Sequence, residues 1–141
     1  ANMTVTGERM SGHFFNKQSS FDAAEAALRE GEGVATLFPL TAPLDGTNGL
    51  YAMDPTVEPI WTAAGTNWQD RAATVLPGVA AQPQYVTEYR GGVLRDDHCA
   101  LDAETSSSQD CWRHAYRVSA QGFGANTNAV TITQSTILTR K

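Results

Sequence analysis

Apolar residues at Met3, Met10, Phe14, Phe21, Ala24 and Leu28 are spaced by sevens, fours and threes. That spacing puts them on one stripe of a helix. The run Phe21-Asp-Ala-Ala-Glu-Ala-Ala-Leu-Arg-Glu30 is filled with the strongest helix formers. A helix is therefore predicted over 4–31, roughly 40 Å long at 1.5 Å per residue. That is longer than a domain of this size needs, so its first turns are expected to project. Gly7 and Gly12 lie in those turns, and each costs about 1 kcal/mol against Ala. Gly31 and Gly33 are expected to end the helix, as glycine often does at the position after a C-cap. Asp22, Glu25, Arg29 and Glu32 permit surface pairs three and four residues apart.

The pattern then changes. Val34-Ala-Thr-Leu-Phe-Pro-Leu40 is a short apolar segment that Pro39 confines to an edge or a coil. From 41 to 82 the chain is rich in Gly, Pro, Asn and Thr, which punctuate irregular structure. So long a connection must be pinned by buried side chains. Leu50, Tyr51, Ile60, Trp61 and Trp68 are the candidates, with one or two helical turns over 67–72. Period-two alternation of β-branched and aromatic residues follows over 84–90, 112–121 and 130–139. The predicted fold is α+β: one long N-terminal helix packed on an antiparallel meander. The 141 residues form one domain, with helix 1–31, loop region 32–82 and sheet 83–141, the last interrupted by a loop over 91–110. Gly122-Phe-Gly-Ala-Asn-Thr-Asn128 has hairpin composition, and its two glycines are assigned to turn chemistry.

Composition narrows the function by exclusion. Net charge is −5 with scattered acids, and a nucleic-acid partner would need a basic face. No run approaches the roughly 20 apolar residues of a membrane span. Cys99 and Cys111 are expected to form a disulfide, which implies an oxidising compartment. Free thiols, or a zinc site using the flanking His98 and His114, remain alternatives. The acids Asp96, Asp97, Asp102, Glu104 and Asp110 crowd the same loop and suit either solvent or calcium. His13 sits beside Phe14 and Phe15 and is assigned to the surface. No nucleophile elbow, phosphate loop or dinucleotide fingerprint occurs. No catalytic residue, metal or cofactor is expected.

Several segments in order carry a resemblance. Glu8-Arg-Met10, Asn16 and Phe21–Glu30 resemble the helix of the PilX-type minor pilins of type IV pili. Tyr85-Val-Thr-Glu88, Tyr116-Arg-Val-Ser-Ala-Gln-Gly122 and the strand ending Gln134-Ser135-Thr136 resemble strands of the same family. Residues 41–82 carry no part of it. The resemblance implies the soluble domain of a minor pilin whose apolar N-terminal helix half, the membrane anchor, is not in this sequence. It implies a structural subunit without catalysis, which primes pilus assembly and sits in the tip complex. Its partners would be other minor pilins, the major pilin and a tip adhesin. Its location would be the inner membrane and periplasm before assembly, and the extracellular pilus afterwards. On this reading Phe21, Ala24 and Leu28 form the helix–sheet core, while Met3, Met10 and Phe14 face neighbouring subunits. Two rivals remain: a type II secretion minor pseudopilin, which favours calcium, and a periplasmic domain binding a ligand between Trp61 and Trp68.

Overall fold

The computed structural model describes residues 2–73, 75–95, 99 and 111–139, with side chains described from Met10 onward. Helix α1 spans Asn2–Ala35, 34 residues, or about 50 Å. It runs four residues past its expected end, straight through Gly31 and Gly33. Gly31 is buried where the helix crosses the sheet. A Cβ there would lie 2.6 Å from Val118 Cγ1 and 3.0 Å from Tyr85 Cδ2. This glycine serves close approach, not termination. The helix stops where the Leu37 amide donates to the Val34 carbonyl (2.9 Å), just ahead of Pro39, which cannot continue it.

Five strands follow: β1 Leu50–Ala52, β2 Gln69–Asp70, β3 Gln84–Leu94, β4 Trp112–Phe123 and β5 Val130–Thr139. The meander β3-β4-β5 is antiparallel. The sheet as a whole is not. β1 pairs parallel with β3, giving the order β1-β3-β4-β5, and β2 pairs antiparallel with β3. This corrects the expectation of a purely antiparallel sheet. Residues 69–70 are likewise a strand, not part of a helical turn. Strands of three and two residues are too short for alternation to show, and the edge of β3 supplies their partners. β3 also continues past its expected end, with a register shift between Tyr89 and Gly91. Gly91 has φ 105°, the left-handed region where a bulge accepts glycine.

Alternation sorts the sheet into two faces. Tyr85, Thr87 and Tyr89 of β3 point to the helix with Tyr116, Val118, Ala120 and Gly122 of β4 and Thr131, Ser135 and Ile137 of β5. Against them α1 presents mainly small residues: Ser20, Ala23, Ala24, Ala27, Gly31 and Ala35, with Leu28 as the one large buried side chain. Backbone meets backbone at Gly122. A Cβ there would run into the Ser20 carbonyl oxygen and the Ala24 nitrogen, and lie 2.9 Å from Ala24 Cα. Gly122 lies inside β4, not in the hairpin turn to which its composition assigns it. Phe38 and Leu50 close the core beyond the helix end.

The opposite face is buried over β3 and β4, while the β5 row on that side (Val130, Ile132, Gln134, Thr136, Leu138) is exposed. Val86, Glu88 and Ser119 are inaccessible there. The turn-rich loop reaches this face at Arg117, whose guanidinium lies 4.6 Å from the Trp61 ring. Arg117 in turn donates from Nε and Nη2 to one oxygen of Glu88, at 2.9 and 2.8 Å. Of the candidate pinning residues, Leu50 is fully buried, while Tyr51, Ile60, Trp61 and Trp68 are half-buried. The loop is also tied to the helix. Glu30 accepts from the amides of Ala72 and Ala73, at 2.8 and 3.1 Å.

Candidate functional site

Helix α1 divides at Ser20. From Ser20 onward one face is sealed against the sheet. The Ser20 hydroxyl is satisfied by the Lys17 carbonyl and by Thr131 Oγ1, 2.7 and 2.6 Å away. Before Ser20 the large apolar side chains among the described residues are open: Met10 is 68% exposed, Phe14 65% and Phe15 67%. Among the described residues Asn16 is the last tie on this side, its Oδ1 accepting from the Ala125 amide at 2.6 Å.

The residues named for the helix–sheet core separate. Ala24 and Leu28 are buried, but Phe21 is 44% exposed, which corrects its assignment. The reason is the closeness of the packing at Gly122. Where the helix backbone touches the sheet backbone, only Ser20 and Ala24 fit between them. Phe21 lies about 100° further round the helix, in a shallow cleft with Phe14, Lys17, Gln18 and Thr131. Phe21 therefore extends the exposed stripe of Met10 and Phe14, at spacings of four and seven. The backbone of Met3 is helical, and its side chain lies outside the described residues. Phe15, not expected in the interface, packs edge-on against Phe14 with centroids 5.9 Å apart. The tandem Phe14-Phe15 is its only sequence signal. The described part of the helix up to Phe21 thus carries an exposed apolar surface of Met10, Phe14, Phe15 and Phe21. Larger clefts flank the same helix segment, one of about 380 Å³ between Gly12, Phe15, Asn16 and Asn126.

The chemical candidates resolve differently. Cys99 and Cys111 are joined as a disulfide, with Cα atoms 5.6 Å apart. This removes the zinc and free-thiol alternatives for that pair. His114 Nδ1 lies 2.9 Å from the Tyr89 hydroxyl, and burial holds its pKa below the ordinary 6.5. His98 and the acids Asp96, Asp97, Asp102, Glu104 and Asp110 lie outside the described residues. Among the described residues no group of three or more His, Cys, Asp or Glu could hold a metal. His13 is exposed beside the helix cleft. Trp61, nominated for a pocket wall, has Arg117 over its ring. On the helix, Arg29 pairs with Glu32 at 3.2 Å and Glu25 at 3.8 Å, whereas Asp22 accepts from Gln18.

A long helix laid through small residues on one face of a sheet, with Met10, Phe14 and Phe15 open on the turns before Ser20, is the arrangement of a pilin-like subunit. Residues 18–139 match the family described as type IV pilus assembly protein PilX C-term. The chain belongs to that family and is a pilus assembly protein whose partners are other pilus components. The matched span opens two residues before Ser20, where burial of the helix begins. No curated protein and no solved structure matches the chain. Among the described residues no helix is long and apolar enough to cross a membrane.

Proposed function

We propose that this chain is a non-catalytic minor pilin that helps prime type IV pilus assembly and remains in the tip complex. Its partners there are other minor pilins, the major pilin and a tip adhesin. The observation that carries this reading is the apolar stripe of Met10, Phe14 and Phe21, open along a helix whose later turns are sealed. In the fibre, that stripe packs on the helices of neighbouring subunits, and Met3 belongs with it. Before assembly the protein is held at the inner membrane through an apolar helix segment preceding this one, with the domain in the periplasm. The Cys99–Cys111 disulfide suits that oxidising compartment. The test is Phe14→Asp in the full-length protein in its own cells, reading surface pili and, separately, the melting of the domain. Pili should be lost while melting is unchanged, because Phe14 is exposed in the free subunit. Normal piliation with a stably produced variant would overturn the assignment.

A further inference from the structure

We infer that the edge of β5 from Val130 to Leu138, on which no other described strand lies, is a docking site for an extended, uncharged strand from another polypeptide. The two edges of the sheet are treated differently. On the β3 side, β1 and β2 take up successive lengths of the edge. On the other side β5 has β4 as its one neighbour among the described residues. Exposed strand edges are ordinarily blunted by lysine, proline, a bulge or shortness. β5 has none of these. It is ten residues long, Val-Thr-Ile-Thr-Gln-Ser-Thr-Ile-Leu-Thr, without charge or proline. Its register with β4 is continuous from end to end.

The surroundings of the edge define the occupant. A row of main-chain donors and acceptors is met in register only by another strand. A charged residue in that strand would lose water against the uncharged side chains of β5, and Glu32, which accepts from the Ser135 hydroxyl at 2.7 Å, would repel an acid there, so the body of the segment is uncharged. On the helix side, alternate side chains would fall on the cleft of about 230 Å³ formed with Phe14 and Phe21. On the other side they would extend the exposed row that holds Ile132 and Leu138. That row is mixed, since Gln134 and Thr136 alternate with Ile132 and Leu138, so the segment is apolar on the helix side and hydroxyl-bearing on the other. Lys17 lies in the same cleft and calls for a carboxylate at the adjacent end of the segment. This is independent of the pilus role, since it follows from the chemistry of the edge alone.

The probe is a synthetic alternating Thr-Val peptide with an aspartate at each end, titrated into the whole chain and followed by backbone amide NMR. Saturable shifts should concentrate on β5, Phe14 and Phe21, with alternate β5 amides slowed in exchange. Ile132→Lys, at an exposed position, should weaken binding about tenfold or more with melting unchanged. Lys17→Glu should weaken it several-fold, and lysine-ended peptide should restore it. Shifts that avoid β5, or equal affinity in the folded Ile132→Lys variant, would overturn the inference. So would a peptide-independent dimer abolished by Ile132→Lys, which would place a second copy on the edge. Should Ile132→Lys not fold, Lys17→Glu on the exposed helix surface decides alone.

Discussion

Replacing Gly122 with alanine adds one methyl group at the tightest point of the fold. That carbon would meet the Ser20 carbonyl oxygen and the Ala24 nitrogen, and stand 2.9 Å from Ala24 Cα. Carbon contacts relax at about 3.5–4.0 Å, so helix and strand must part by roughly an ångström. Neither neighbour is a side chain that can rotate away. The separation also loosens the Ala23, Ala24, Ala27 and Leu28 contacts along the same face. Overpacking costs about 1–3 kcal/mol, and more when the surroundings cannot give. The unfolded chain loses freedom on Gly→Ala, which offsets about 0.4–1 kcal/mol. A net destabilisation of about 3 kcal/mol is expected, or about 10 °C in melting for a chain of this size. The assay is urea unfolding followed by tryptophan fluorescence and circular dichroism, with Gly33→Ala as control. Gly33 is helical and open to solvent, and a Cβ there would meet nothing within 4 Å, so alanine should stabilise by up to about 1 kcal/mol. A Gly122→Ala unfolding free energy within about 0.5 kcal/mol of wild type would refute the claim that backbone contact sets the helix–sheet distance.

Three further outcomes follow from the same packing. Phe21→Ala should cost about 1 kcal/mol, well below the 3–5 of a buried Phe, whereas Leu28→Ala should cost about 2–5; equal chemical-denaturation midpoints would contradict the burial difference. Arg117→Ala should destabilise by about 3–5 kcal/mol by stranding the buried Glu88 carboxylate, and Glu88→Gln in the same chain should recover part of that loss. His114 has a folded pKa below its ordinary 6.5 because burial disfavours the charged ring. The unfolded chain thus binds the proton more readily, and stability should fall as pH drops below about 6.5, levelling off once the folded-state pKa is passed. A melting series over that range should lose this component in His114→Gln.

What can be read from the residues is whatever depends on local period. Ala-rich spacing foretells α1, alternation foretells β3, β4 and β5, and a cysteine pair in a polar segment foretells the disulfide. Each needs only a neighbourhood of a few residues to declare itself. β1 and β2 do not: three and two residues carry no period, and they exist because the β3 edge, over thirty positions away from Leu50, accepts them. The exposed apolar stripe is legible at Met10 and Phe14 for the same local reason that the helix is.

Phe21 shows where local reasoning stops. Hydrophobic periodicity ranks the largest apolar residue as the most buried, and it places Phe21 in the core and Gly31 and Gly122 at ends and turns. The fold reverses all three. Helix and sheet approach so closely that the contact line is occupied by Ser20, Ala24, Gly31 and Gly122, leaving no room for an aromatic ring. The distance between two elements is a property of neither sequence segment alone. It emerges only when both backbones are in place, and here it moves Phe21 from the core of the domain to its outer surface.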